Sequence, residues 1–149
     1  MDGSPETLAA LRDLFARQRL GVLATQAPGH PYASLVAVCA DDELRHLYFV
    51  TPRATRKFHY LEAQPDVAML VDSRSEDDLD FHGAVAATAV GSARELTGEE
   101  RAERLEAFLL RRPQLREFAK SPTTALVELT VRTYYVVTRF QNVTELHLE

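Results

Sequence analysis

Leu47-Tyr48-Phe49-Val50-Thr51-Pro52-Arg53-Ala54-Thr55-Arg56-Lys57-Phe58 is the stretch on which the reading of this chain turns. His46 to Val50 reads as a strand, Thr51-Pro52-Arg53 ends it, and Thr55 to Ala63 reads as a short helix that stops before Pro65. A helix opening presents unpaired backbone N–H groups and a partial positive charge, which together attract phosphate. Here that opening carries the hydroxyls of Thr51 and Thr55, the guanidinium of Arg56 and the ammonium of Lys57. Arginine grips phosphate oxygens through two bonds, and lysine adds a compact charge. The competing reading, that Thr55 merely caps the helix and the cations are solvated, stays open on the residues alone, because short basic clusters are common. Arg53, on the turn itself, is expected to point to solvent.

Upstream of this stretch, Ser4 to Arg19 reads as a helix, with Ser4 as cap, Pro5 at the first helical position and Glu6 against the dipole. Leu8, Leu11, Leu14 and Phe15 give it one apolar face. Val22 to Thr25 and Tyr32 to Val38 form a hairpin around Ala27-Pro28-Gly29-His30-Pro31. Downstream, Val67 to Val71 is an apolar strand of the kind buried on both faces. Ser73 to His82 is a polar, acidic loop, long enough to be a lid or an edge. Val85 to Leu96 reads as a strand with Gly91 at a bulge or a close backbone approach. Thr97-Gly98-Glu99-Glu100 is a capping-box sequence: the Thr97 hydroxyl meets the Glu100 amide while the Glu100 carboxylate reaches back. The helix it opens buries Ala102, Leu105, Phe108 and Leu109. A short helical piece between Pro113 and Pro122 precedes two final β-rich runs, Ala125 to Thr138 and Gln141 to Leu148. Six or seven strands joined by short turns favour antiparallel pairing in one mainly β (α+β) domain with flanking helices.

A chain of 149 residues is about one domain. Its net charge of −5 gives no reason to expect nucleic acid or an anionic membrane, so an anionic ligand needs a local basic cluster. Cys39 is the only cysteine, which excludes an internal disulfide, and it reads as a small buried hydrophobe. No apolar run is long enough for a transmembrane helix, and the start of the chain lacks a secretory pattern, so a cytoplasmic location is expected. The five histidines, His30, His46, His59, His82 and His147, lack metal-ligand spacing. His82 could reach a ligand from the acidic loop, and His59 and Tyr60, in the helix after the basic cluster, could approach one or simply pack. No nucleophile elbow surrounds Ser34, so Ser34 and His30 are not a hydrolase pair. Tyr134 and Tyr135 alternate across a strand, so at most one faces the core.

The order of apolar strand, Thr51, turn, Thr55-Arg56-Lys57, then Leu61 and Gln64-Pro65-Asp66-Val67, resembles the pyridoxamine 5′-phosphate oxidase-like FMN-binding split-barrel family. His30-Pro31-Tyr32-Ala33-Ser34-Leu35-Val36 is similar to the strand that lies along the flavin there, and Ala84 to Leu96 to its long barrel strand. Tyr134 to Val137 and Phe140 to Val143 extend the likeness over nearly the whole chain. The resemblance implies a six-stranded antiparallel split β-barrel, FMN as cofactor, and a homodimer with each flavin between subunits. It puts Arg56 and Lys57 on the flavin phosphate with Thr51 and Thr55 beside them and Val50 at the strand end. Ser34, Leu35 and Val36 would lie along the isoalloxazine, and Arg74 would approach from the rim. Two departures remove the named substrate: there is no tryptophan for the Trp- and Arg-rich C-terminal segment of the true oxidases, and small apolar residues near Val85 to Ala87 replace a flavin-contacting glutamine. The resemblance therefore implies an FMN-dependent reductase or oxidase that meets a small-molecule substrate or electron donor. A reductase using the deazaflavin cofactor F420, with Arg53 and Arg74 on its longer tail, and a non-enzymatic module holding flavin or haem are the alternatives.

Overall fold

The computed structural model describes residues 3–74, 83–139 and 142–148. Its elements in chain order are α1 (Pro5–Arg17), β1 (Leu20–Ala27), β2 (His30–Ala40), β3 (His46–Pro52), α2 (Arg56–Ala63), β4 (Asp66–Asp72) and β5 (Ala86–Glu95), followed by α3 (Gly98–Arg111), a 3-10 turn (Pro113–Leu115), α4 (Arg116–Lys120), β6 (Thr124–Thr138) and β7 (Asn142–His147). The strands run β3-β2-β1-β4-β5-β6-β7, and a further pairing of β3 with β6 closes the first six into an antiparallel barrel. β7 adds to the outside of that ring along β6. Most of the acidic loop, including Glu76, Asp77, Asp78, Asp80 and His82, lies outside the described residues.

Closure gives each strand one inner face, and this corrects the reading of β4. Val67, Met69 and Val71 are buried inside, while Ala68 and Leu70 are half-buried outside. A strand buried on both faces needs a layer on each side, and the outer residues of β4 stay only half-buried. Inside, Ala87, Ala89 and Ala93 of β5 share the core with Phe49, Met69, Leu129 and Tyr134, an alternation of small and large that fits a narrow barrel.

Helices plug both ends. Leu11, Leu14 and Phe15 of α1 enter the core at the end where Phe15 meets the Tyr134 ring edge-on at 6.0 Å. The Tyr134 hydroxyl donates to the carbonyl of Leu44 at 2.6 Å, and burial pushes its ionisation above the ordinary phenol range. Tyr135, its neighbour, is exposed, as alternation requires. α2, leaving β3 at the far end, closes that mouth with Phe58 and Leu61. A second core forms outside the barrel, where Leu105, Phe108 and Leu109 of α3 and Ala119 of α4 cover Cys39, Tyr48, Val50 and Leu126. Burial raises the Cys39 thiol, which keeps it protonated and inert. Ala102 is exposed rather than part of the α3 stripe.

The capping box at Thr97 does not form. Gly98, at φ +62°, turns the chain away from helical geometry, and Thr97 makes no side-chain cap bond. The Glu100 carboxylate is held instead by both terminal nitrogens of Arg94, at 2.7 and 3.0 Å. A bidentate charged pair outweighs one neutral capping bond.

Arg53 also departs from expectation. It donates to Glu95 at 2.6 and 3.0 Å and to the carbonyl of Pro122 at 2.7 Å, bracing the end of β3 against β5 and the entry to β6. Arg53→Ala should therefore lower stability by about 1–2 kcal/mol. Thermal melts of the ligand-free protein check this, and an unchanged midpoint would return Arg53 to the solvated role.

A candidate functional site in the barrel split

β2 pairs with β1 over eight residues, from His30 to Ala37, but with β3 over only three, Val38 to Ala40. Beyond Val38 and Phe49 the two strands diverge, and the barrel splits between Ser34–Ala37 on one side and Val50–Pro52 on the other. Val38 donates its N–H to the carbonyl of Arg19, on the β1 side. Backbone groups alternate along a strand, so Leu35 turns its N–H and C=O the other way, into the split and beyond the last paired residues. Pro52, which has no N–H to leave unpaired, is suited to the opposing edge.

A cleft of about 280 Å³ occupies the split, lined by Leu35, Val36, Ala37, Val50, Pro52 and Lys57 together with Leu20, Leu115 and Phe118. Leu35, Val36, Val50 and Lys57, distant in sequence and all singled out from it, are thereby brought together. The Val36 side chain points into the barrel core and its N–H and C=O turn toward β1, so it offers the cleft only the apolar flank of its backbone. Ser34 faces the same way, and its Oγ is buried without a hydrogen-bond partner among the described residues. Such an orphaned hydroxyl costs stability unless something else satisfies it.

The phosphate-binding candidates cluster at the opening of α2, and of them Lys57 lines the cleft. Thr55 is its N-cap and accepts from the Phe58 amide at 3.3 Å. Both threonine hydroxyls also shape the turn: that of Thr55 donates to the Pro52 carbonyl at 2.9 Å, and that of buried Thr51 lies 3.3 Å from Thr55 Oγ1. The Arg56 and Lys57 amides, first in the helix, have no carbonyl partner within it by geometry. Arg56 is exposed, with its guanidinium 5.5 Å from the centre of the Tyr32 ring, and Lys57 is half-buried. Arg74 lies apart. It is tied to Asp72 at 3.0 Å in an adjoining recess of about 220 Å³ that shares Leu20 and Leu35 with the main cleft.

This donor set fits a phosphorylated ring ligand. Apolar walls and an unpaired strand edge suit a flat heterocycle with a polar rim, and the cations at the opening of α2 suit its phosphate.

The sequence profile of the pyridoxamine 5′-phosphate oxidase family matches residues 7–138, most of the chain. The chain belongs to this family. Solved structures similar to it in fold include a heme binding protein from Mycobacterium smegmatis, at TM-score 0.82 and 18% identity, covering 99% of this chain and 59% of that one. A FAD-binding protein from Mesorhizobium loti has TM-score 0.71 and 17% identity, with 87% and 90% covered. A putative pyridoxamine 5′-phosphate oxidase from Listeria innocua has TM-score 0.67 and 15% identity, with 87% and 96% covered. No curated protein matches the chain in sequence. At such identities these structures establish the shared barrel and leave the ligand to the residues.

Sequence reasoning missed the wall made by Leu115 and Phe118. The helical piece was legible, but its packing beside β2 joins residues some eighty positions apart, for which the sequence carries no signal. It also missed Tyr32 beneath Arg56. Among the described residues no group of histidine, cysteine and carboxylate side chains can hold a metal, and no helix is long and apolar enough to cross a membrane.

Proposed function

We propose that this chain is an FMN-dependent oxidoreductase that works as a homodimer, with one flavin in the split of each barrel. The observation that carries the reading is the split itself: an unpaired edge at Leu35 facing Val50 and Pro52, with Lys57 at the same cleft. The flavin, when bound, supplies the hydride or electron chemistry. The polypeptide binds and orients. Arg56, Lys57 and the two free amides of α2 hold the phosphate, with Thr51 and Thr55 shaping the turn beneath it. The Leu35 backbone meets the polar rim of the ring, with Ser34 beside it on the same strand, while Leu20, Val50 and Phe118 shield its apolar part from water.

Exposed apolar surface beside the cleft supports the dimer. Leu20 is 53% exposed, Leu35 62% and Phe118 40%. A patch of this kind marks an interaction site, and two-fold association is the commonest outcome. A cleft this shallow gains depth from a second subunit.

Freshly purified protein should be yellow, with a flavin absorbance spectrum, about one FMN per chain and quenching of FMN fluorescence on titration. A deazaflavin or haem spectrum would transfer the site to that cofactor, and colourless protein that leaves FMN fluorescence unchanged would refute the reading. Sedimentation of the FMN-bound protein as a monomer at micromolar concentration would refute the dimer.

A further inference from the structure

The arginine proposed to hold the flavin phosphate does not stand free. Its guanidinium lies over the face of Tyr32, 5.5 Å from the ring centre, and the Tyr32 ring meets Tyr60 edge to face, with centroids 6.2 Å apart and planes 78° from parallel. Tyr60 lies four residues after Arg56, one turn along α2, so the helix that carries the arginine also carries the ring that supports its platform. Tyr32 comes from β2, the strand that lines the cleft at Leu35 and Val36. The three side chains thus tie the opening of α2 to the ligand-facing strand. No carboxylate among the described residues forms an ion pair with Arg56, so its charge is oriented by aromatic rings and left uncompensated.

We propose that Tyr32, supported by Tyr60, is a positioning residue for the phosphate: it fixes the plane of the Arg56 guanidinium so that the fork is preorganised for two bonds to one phosphate group. The inference rests on the flavin-phosphate reading given above. The physical basis is entropic as well as electrostatic. An exposed arginine has many rotamers, and those lost on gripping phosphate weaken binding unless they are already restricted. A ring face beneath a guanidinium restricts them and is attractive in itself. An ion pair would restrict them too, but a carboxylate would compete with the phosphate for the same donors. An aromatic face leaves the edge N–H groups open.

The test is a double-mutant cycle on FMN affinity with riboflavin as reference, measured by fluorescence titration at fixed salt. Tyr32→Leu should weaken FMN about two- to fivefold, the scale of an exposed cation–π contact. It should leave riboflavin unchanged, and Tyr32→Phe, which keeps the ring face, should restore FMN binding. In an Arg56→Ala background Tyr32→Leu should have no further effect, because its target is gone. Tyr60→Leu should follow the same pattern more weakly and serves as the second variant should Tyr32→Leu fold poorly. Equal losses for FMN and riboflavin, or a loss that persists without Arg56, would overturn the positioning role and make Tyr32 a ring contact or a packing residue. Wild-type protein that binds FMN no better than riboflavin would overturn the phosphate reading itself, and the positioning role with it.

Discussion

Alanine at position 91 is expected to destabilise the barrel by about 3 kcal/mol or more, the upper range for forcing volume into a packed site. Gly91 lies on β5 where its register with β6 slips: Val90 stands opposite Thr133 and Gly91 opposite Val131, with Arg132 as the extra residue between. The slip drives the two backbones together. A Cβ at this position would lie 1.9 Å from the Thr130 carbonyl oxygen and 2.8 Å from its carbon. Backbone cannot swing aside as a side chain does, so the strands must part along the most extensive pairing in the ring. For a domain of this size the loss corresponds to a fall of about 6–12 °C in Tm. Gly29→Ala is the contrasting case. Gly29 holds φ +74° in the β1–β2 turn with nothing near its missing Cβ, so the substitution should cost only about 1 kcal/mol of backbone strain. Thermal melts of both variants without ligand decide the matter. A Gly91→Ala midpoint within a degree or two of wild type would mean the bulge relaxes freely.

Removing either cation proposed to hold the flavin phosphate is expected to raise the Kd for FMN about ten- to hundredfold while leaving the fold intact. Arg56 is exposed and Lys57 half-buried at the opening of α2, and neither belongs to the hydrophobic core, so truncation removes little packing. Each charge-assisted bond to a phosphate oxygen contributes about 1.5–3 kcal/mol, which sets the range. Lys57 lines the cleft directly, whereas Arg56 lies over Tyr32 and is not among the lining residues. Lys57→Ala should therefore also loosen riboflavin slightly through lost contact of its methylene stem, and Arg56→Ala should not. Salt should weaken FMN binding to wild type more than to either variant. Arg53, braced against Glu95, cannot serve as a neutral control for these measurements; Arg116, at the start of α4, is a better choice. Equal losses for FMN and riboflavin in Arg56→Ala would mean the cluster does not read phosphate, and a large fall in Tm would return both residues to a structural role.

Much of this molecule was legible in the order of its residues. The run His46 to Pro52, the cap at Thr55 and the stop before Pro65 specify a strand, a turn and a helix by local chemistry alone, and the structure has them within one or two residues. The same holds for α1, whose cap, first-turn proline and apolar stripe of Leu11, Leu14 and Phe15 are all local signals. Gly91 was legible as a bulge or a close approach because a glycine amid β-branched and small residues has few other reasons to be there, and the structure makes it both. The basic opening of α2 was equally visible, since helix geometry places the Arg56 and Lys57 amides and side chains together whatever the rest of the chain does.

Tertiary structure alone decided the remainder, wherever the outcome depended on which of two distant groups reached a side chain first. The capping box at Thr97 was lost because Arg94, aligned by β5, took both oxygens of Glu100. Arg53 is tied down because Glu95 and the Pro122 carbonyl arrive beside it only once β5 and β6 are in register. Val67 to Val71 reads as doubly buried because its apolar run is continuous, yet closure of the ring gives it one inner face. The split between β2 and β3, which makes the site, is written in no local pattern. It arises because β3 follows β6 along its whole length while β2 runs with β1 from His30 to Ala37, so that β2 and β3 meet only at Val38 to Ala40 and part beyond. Local propensity acts over a few residues; competition for partners acts over the whole chain, and only the folded barrel settles it.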